Sequence, residues 1–336
     1  MSGLHAGLDV ADQTVCVCIV DDNGAVVFES LAATTPEAVA KVLRPYRRRL
    51  RQVGQETGGK AAWLHKELVK RRFPMICLDA RHAQAALSAK PNKTDKNDAR
   101  GLALLLARGI FTSAHVKSDD AQGIRLLLNV RKTLQRKALD LQTSMRMSAK
   151  SFGIPCHEKR RRVSTTEKAG DDPSLHRLFR VMQRASEQLL EEVKTLDRMV
   201  RKRALADPVC RRLMTAPGVG PITALTFRAA VDDPARFRRS RDVAAHFGLT
   251  PRRYQSGFTA FSGHITGKGD PTVRASLYDA ACSLLNNTRS ASELRSWAVS
   301  LRERRGFKVA AVATARKLAT VMHRMWVTER DFQSSL

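Results

Sequence analysis

Several things are scarce in this sequence, and each absence narrows what the chain can be. Its 336 residues contain no apolar run near the roughly 20 residues that a membrane-spanning helix needs. The first residues have neither the basic opening nor the short apolar stretch of a secretory signal. Both absences predict a cytoplasmic protein with no membrane partner. The six cysteines, Cys16, Cys18, Cys77, Cys156, Cys210 and Cys282, are scattered and include no Cys-x-x-Cys pair, which argues against a zinc site or a disulfide framework. Reduced thiols fit the cytosol. Tandem repeats and low-complexity segments are absent as well.

Acidic residues are the last scarcity. The chain has 32 Asp plus Glu against 59 Lys plus Arg, a formal net charge of +27. Such an excess favours a polyanionic partner, because every phosphate neutralised by Lys or Arg releases a condensed counterion. The length allows two domains or more with ample core.

A few of the scarce acids sit in informative places. Lys93-Thr94-Asp95-Lys96-Asn97-Asp98-Ala99-Arg100 precedes the apolar run Gly101 to Ala107, which reads as the first turn of a helix entering a core. Two carboxylates three residues apart share a helix face, and acids in a first turn suit the helix dipole. By spacing alone the pair reads first as a helix cap. Asp9 is embedded in an apolar strand between Leu8 and Val10. A buried carboxylate there is costly, and a bound metal is the usual remedy; an outward-facing strand position is the alternative. Glu56 stands at the tip of a short strand before Gly58-Gly59.

The elements around these acids predict an α/β domain with a mixed sheet. Residues 4 to 28 read as a hairpin or meander with an Asn-Gly turn at Asn23-Gly24. A helix is predicted from Pro36 to Leu50, a strand ending near Glu56, a helix from Lys60 to Lys70, a strand from Met75 to Leu78 and a further element from Ala80 to Ala89. In that order, three separate elements can bring Asp9, Glu56 and the Asp95/Asp98 pair to one end of the sheet. Four converging carboxylates repel unless divalent cations neutralise them. Mg²⁺ takes oxygen ligands, and two such ions stabilise the attacking and leaving oxygens of phosphoryl transfer.

Gly7-Leu8-Asp9-Val10, Glu56-Thr57-Gly58 and Lys93-Thr94-Asp95-x-x-Asp98-Ala99 together resemble the three signatures of the DEDD transposases of bacterial insertion sequences, relatives of the Piv-type DNA invertases. The resemblance implies a RuvC-like, RNase H-like N-terminal domain over residues 1–117, with Asp9, Glu56, Asp95 and Asp98 as its metal-binding tetrad for two Mg²⁺ ions. The chain departs from the pattern shortly after the first aspartate, where Asp12 and Gln13 stand in place of a common lysine.

From 118 to 206 the texture changes. Leu127, Val130, Leu134, Leu141 and Met145 recur at helical spacing, as do Leu178, Met182, Ala185, Leu189, Val193, Leu196 and Val200. Two long helices joined by the basic, turn-rich stretch from Gly153 through Lys159-Arg160-Arg161-Arg162 to Pro173 make a helical hairpin. Its apolar stripes suit either an intramolecular coiled coil or a dimer seam.

The last segment, 207–336, is predicted to be mainly helical. Pro217-Gly218-Val219-Gly220-Pro221 resembles the turn of a helix-hairpin-helix, whose backbone N–H groups suit a phosphate, although such a turn also simply joins two helices. Ser256 lies next to Gly257 among Arg236, Arg238, Arg239, Arg241, Arg252 and Arg253, with Lys268 and Arg274 downstream. A serine hydroxyl needs a base or metal to become a nucleophile, and surrounding cations stabilise charge on an attacked phosphate. By residue type alone Ser256 reads more readily as a turn residue, with Tyr254 and Ser262 as rival nucleophiles. A continuous helical stretch is predicted from Ser292 to Val327.

Pro217-Gly218-Val219-Gly220, Gly248-Leu249-x-Pro251, Ser256-Gly257 and Gly263-x-Ile265-x-x-x-Gly269-Asp270-x-x-x-Arg274 resemble the C-terminal transposase domain of the same family. A basic residue usual just after the isoleucine segment is replaced by Gly267. The resemblance implies Ser256 as the recombination nucleophile. It implies a homodimer or homotetramer with composite active sites, donor and target DNA as substrates, and a noncoding bridge RNA as guide. The nucleic-acid contacts expected are Lys93, Arg238, Arg239, Arg241, Arg252, Arg253, Lys268 and Arg274. The rival reading is a metal-dependent, resolvase-like or excision-type endonuclease in which water attacks and Ser256 is dispensable.

Overall fold

Short apolar and β-branched runs recur through the first thirty-three positions, and in a computed structural model of the chain they build three antiparallel strands: β1 (Leu4–Val10), β2 (Thr14–Asp21) and β3 (Val26–Ala33). The structure describes residues 3–87, 94–154, 156–157, 162–163, 173–257, 259–286 and 292–334. By its internal contacts the chain divides into two units, Met1–Lys117 and Ser118–Leu336.

In the first unit the meander is followed by α1 (Pro36–Leu43), β4 (Leu50–Glu56), α2 (Ala61–Lys70), β5 (Met75–Leu78), α3 (Ala80–Leu87) and α4 (Asp95–Ala107). The strands form one sheet in the order β3-β2-β1-β4-β5, with β4 parallel to β1 and β5 parallel to β4. Three antiparallel strands extended by two parallel ones make the expected mixed sheet, and the order is that of an RNase H-like domain.

Side chains two apart on a strand share a face, and the two faces differ in what covers them. Leu4, Ala6, Leu8, Val15, Val17, Ile19 and Val53 pack with Val39 and Leu43 of α1 and Leu64 and Leu68 of α2. On the opposite face Cys16, Cys18 and Val20 meet Ala99 and Ala103 of α4, while Leu78 meets Leu102 and Leu106 of the same helix. Fully burying each of these leucines is worth about 1.5–3 kcal/mol. The helix predicted from Pro36 to Leu50 stops at Leu43. Pro45 lacks an N–H and disfavours the α conformation before it, so the chain passes through a short 3₁₀ turn, Arg44–Tyr46, and Leu50 already belongs to β4.

The second unit opens with α5 (Asp119–Ser151), the two-residue strands β6 (Cys156–His157) and β7 (Arg162–Val163), and α6 (Pro173–Ala206). At 1.5 Å per residue, helices of 33 and 34 residues each run about 50 Å. Ser186 donates its hydroxyl hydrogen to the Ala138 carbonyl, 3.3 Å away, across the α5–α6 pair. Then follow α7 (Pro208–Leu213), α8 (Pro221–Val231), α9 (Ser240–His246), the hairpin of β8 (Pro251–Ser256) and β9 (Thr259–Ile265), α10 (Pro271–Asn286), α11 (Glu293–Arg305) and α12 (Phe307–Val327). Ala121, Ile124 and Leu128 of α5 and Val200 and Ala204 of α6 join Phe227, Phe247, Leu277, Leu318 and Met322 in one core. At the other end of the long pair, Met145, Ala149, Ile154 and Phe179 form a smaller cluster.

The continuous helix predicted from Ser292 to Val327 is in fact two. Gly306, with φ of 80°, ends α11 in a left-handed conformation that glycine alone adopts freely, and α12 starts at the next residue. Most of the basic stretch between Gly153 and Pro173 lies outside the described residues.

The contact between α4 and β1 yields a stability test. A Cβ on Gly7 would collide with the Ala99 carbonyl oxygen and lie 2.5 Å from the Ala103 nitrogen, whereas one on Gly58 would meet nothing within 4 Å. Gly7→Ala is expected to destabilise the protein by about 1–3 kcal/mol or more through overpacking, and Gly58→Ala to stay within about 0.5 kcal/mol, both read by denaturant unfolding.

Candidate active site

The acidic site is built on two glycines. Gly7 of β1 pairs with Gly54 of β4 in the parallel register, and Leu8 pairs with Gln55. A side chain on either glycine would run into α4, since a Cβ on Gly54 would lie 2.6 Å from Leu106 Cδ1. Asp9 and Glu56 follow their glycines by two residues and therefore face the same side of the sheet, the side that α4 covers. Both stand at the carboxyl ends of neighbouring parallel strands and both are half-buried.

The α4 helix brings the other two carboxylates. Thr94 caps it, its hydroxyl accepting the Asn97 N–H at 3.2 Å, and Asp95 and Asp98 occupy the first turn. Each lies one turn before a residue that faces Gly7, Asp95 before Ala99 and Asp98 before Leu102. Arg100 holds the helix laterally, donating from Nε and Nη2 to Glu29 of β3 at 3.1 and 2.9 Å. Asp95 is exposed and Asp98 half-buried.

Cys16 reports on the field at this corner. It sits directly opposite Asp9 in the β1–β2 register. Burial pushes its thiol up, and the negative charges of Asp95 and Asp9 push it further in the same direction. The thiol is therefore held in its protonated form beside the acids.

The structure thus brings Asp9, Glu56, Asp95 and Asp98 to one end of the sheet. Among the described residues, however, no group of three or more His, Cys, Asp or Glu side chains stands close enough to hold a metal ion. In donor chemistry the set fits a hard divalent cation, being four carboxylates from three elements. Lys93 lies outside the described residues.

In the second unit Ser256 is the last residue of β8, paired with Thr259 across the hairpin and exposed. The sequence places it in a loop; it ends a strand, at the tip of the hairpin, beside Gly257 with φ of 54°. Arg252 and Arg253 lie on the same strand and are exposed, as are Lys268 and, around the start of α9, Arg238, Arg239 and Arg241. Arg274 is occupied differently. Its Nη1 donates to the carbonyls of Phe247, Lys268 and Gly269 at 3.2, 3.1 and 3.0 Å, so it ties the root of the hairpin to α10. The Pro217–Pro221 turn also packs inward. Gly218, with φ of 82°, lies against the Ala280 carbonyl of α10, and the Val219 N–H is bonded to the Ala216 carbonyl.

Two groups here were not legible as a site. Asp270 caps α10, accepting the Thr272 N–H at 2.9 Å, and its second oxygen pairs with Arg125 Nη1 of α5 at 2.6 Å. Burial alone would raise the Asp270 carboxyl, but the Arg125 contact and the backbone N–H groups outweigh it and hold the carboxyl below its usual range. A separation of 145 positions hides this pair from any sequence pattern. The second is the ring of Phe261, stacked on Tyr254 across the hairpin.

By fold the protein is an RNase H-like unit with carboxylates at the strand ends, joined in one chain to a mainly helical, basic unit. Comparison with known proteins supplies the family. A DEDD transposase profile of the IS110 group, described as "Transposase", matches residues 6–151. The profile described as "Transposase IS116/IS110/IS902 family" matches residues 210–295. The chain is 25% identical over 337 residues to the transposase for insertion sequence element IS1111A of Coxiella burnetii, covering 97% of this chain and 90% of that one. It is 31% identical over 253 residues to the y4pF/y4sB protein of Sinorhizobium fredii, itself assigned as a transposase, covering 73% of this chain and 65% of that protein's length. A RuvC structure from Thermus thermophilus overlays with a TM-score of 0.26 and 13% identity, covering 33% of this chain and 99% of that one. The fold assignment rests on the strand order. The chain belongs to the DEDD transposase family of insertion sequences, enzymes of DNA strand transfer. No helix among the described residues is long and apolar enough to cross a membrane.

Asp270 gives a pH-dependent expectation. Its carboxyl is depressed in the folded state, so its contribution to stability is present above the unfolded value near pH 4 and disappears as pH falls through the folded value. Asparagine caps a helix as well as aspartate does, so Asp270→Asn should lose only the Arg125 pair. The variant is expected to be less stable than wild type at pH 7 and to converge with it as pH falls through the lowered value of the folded Asp270 carboxyl. Asp270→Ala should lose about 1 kcal/mol more, the value of the cap, in the same denaturation series.

Proposed function

We propose that this transposase cuts and rejoins DNA through a covalent phosphoserine at Ser256, assisted by Mg²⁺ ions, two per site, held by Asp9, Glu56, Asp95 and Asp98. The observation that supports this best is the shared face of Asp9 and Glu56 beneath the first turn of α4, in a chain whose family is named for such a tetrad. When bound, the ions would supply Lewis-acid stabilisation of the attacking and leaving oxygens.

The residues of the chain do the rest. The carboxylates hold the cations. The Ser256 oxygen attacks the scissile phosphorus, its proton passing to a base or solvent; a new phosphorus–oxygen bond forms, the bond to the leaving deoxyribose oxygen breaks, and that oxygen takes up a proton. One phosphodiester has replaced another, so the bond energy is kept for rejoining, and attack by a deoxyribose hydroxyl reverses the step without ATP. Arg252, on the serine's own strand and side of the ribbon, is suited to neutralise the phosphate charge that develops, and Arg253, on the other side, to contact the DNA backbone. Arg238, Arg239, Arg241 and Lys268 supply further backbone contacts, with Lys93 a candidate beside the tetrad. Donor and target DNA are the substrates, selected by pairing with a noncoding bridge RNA, and the working form is a homodimer or homotetramer with composite sites.

The test uses the full-length protein, Mg²⁺, guide RNA and DNA carrying the element ends. Wild type is expected to yield a detergent-resistant protein–DNA adduct that maps to Ser256. Ser256→Ala should give neither adduct nor strand transfer, whereas Tyr254→Phe should keep both. Asp95→Ala or chelation of the metal should slow cleavage by about 100-fold or more. A Ser256→Ala protein that still cleaves, with no protein-linked DNA, would replace this mechanism by hydrolysis.

A further inference from the structure

The hairpin that ends in Ser256 carries two aromatic rings for which the proposed chemistry has no use. Tyr254 and Phe261 lie directly opposite each other in the β8–β9 register. Their rings stack with centroids 4.9 Å apart and an interplanar angle of 17°. They remain 49% and 57% exposed, on a hairpin in which every described residue of β8 is exposed. A stacked pair held up into water by a two-stranded ribbon adds nothing to the core. It is a flat apolar surface without a cover.

Charge and spacing say what kind of cover fits. Residues 251–268 contain Arg252, Arg253, His264 and Lys268 and no Asp or Glu, so the surroundings suit a polyanion. Nucleobases stack on aromatic rings regardless of sequence, because every base has a π face. The alternation of β8 puts Arg252, Tyr254 and Ser256 on one side of the ribbon, with Phe261 opposite Tyr254 and Thr259 opposite Ser256. Tyr254 and Ser256 are then about 7 Å apart along the strand, close to the length of one extended nucleotide. Gly263 keeps the edge of the platform low, since even a Cβ there would reach no nearer than 3.7 Å to Tyr254 Cε2.

We propose that Tyr254 and Phe261 form a stacking platform for an unpaired DNA base, one nucleotide from the phosphodiester presented to Ser256. The position relative to the phosphate rests on the assignment of Ser256 as nucleophile; the binding of the base does not. Tyr254 and Phe261 are in this sense positioning residues.

The experiment uses the full-length chain in the Ser256→Ala background, so that complexes persist. The probes are a DNA duplex with a short unpaired segment carrying 2-aminopurine, the same duplex fully paired, and the unpaired segment made of RNA. Binding to the unpaired DNA is expected to quench the 2-aminopurine. Tyr254→Ala/Phe261→Ala should remove the quench and weaken this complex by about 10- to 100-fold, with the paired duplex changed less than about twofold. Tyr254→Phe should retain both signals. Tyr254→Leu/Phe261→Leu keeps apolar bulk without a π face, so it should also lose the quench, and a thermal transition matching the parent's shows that the fold is intact. The platform is overturned if the alanine pair binds unpaired DNA as tightly as its parent. It is overturned equally if leucine restores the quench, if the loss is confined to the RNA probe, or if only self-association changes. Adduct formation in the wild-type serine background is read separately: quench without adduct removes the nucleophile assignment and leaves the platform, whereas adduct without quench removes the platform alone.

Discussion

The first unit depends on one close approach, that of the α4 backbone to the β1 backbone at Gly7. Only a residue without a side chain lets the Ala99 carbonyl sit over the strand, and the consequence is positional. With Ala99 and Leu102 seated there, the first turn of α4 must overhang the carboxyl end of β1, where Asp9 emerges beside Glu56. Gly54 repeats the device under Leu106, and the Arg100–Glu29 pair adds a further contact between α4 and β3. The acids are therefore held by elements packed through backbone and small residues, which move less than long side chains do.

The second unit solves a different problem, how to project a short ribbon into solvent without letting it swing. Gly248 and Gly269, with φ of 71° and 89°, let the chain cross itself at the root of the hairpin, where a Cβ on either would strike backbone of the other segment. The Arg274 guanidinium gathers three carbonyls at that crossing, and Asp270 fastens the start of α10 to Arg125. The hairpin thus has a densely bonded root and an exposed tip.

Part of this was readable beforehand. The alternation in β1 and β2 reports a half-buried sheet because side chains alternate with period two, and Thr94-Asp95-x-x-Asp98 reports a helix start because its groups satisfy free N–H donors and the dipole. Arg274 shows the limit. Its residue type suggested a phosphate contact, but three free backbone carbonyls nearby compete for the same donor, and carbonyls leave no mark in a sequence. Gly218 is similar: its turn suggested N–H groups offered to a phosphate, while the structure turns it against α10. Gly306 and Pro45 carried legible signals of helix ends, and apolar periodicity on both sides had masked them.

The sequence by itself determined the family, the mixed sheet and the basic balance of charge, and it nominated four carboxylates and a serine as candidates, because these follow from residue type, local spacing and covalent order. Only the tertiary structure decided that Asp9, Glu56 and the α4 turn share one end of the sheet, that Cys16 lies in their field, that Asp270 belongs to Arg125, and that Tyr254 and Phe261 stack beside Ser256. The reason is physical. Register, close packing and pairing across long separations are set by which surfaces exclude water together. The pair Asp95 and Asp98 is a helix start by local chemistry, and it stands at the same end of the sheet as Asp9 and Glu56 because α4 seats on a glycine 88 and 91 positions before it.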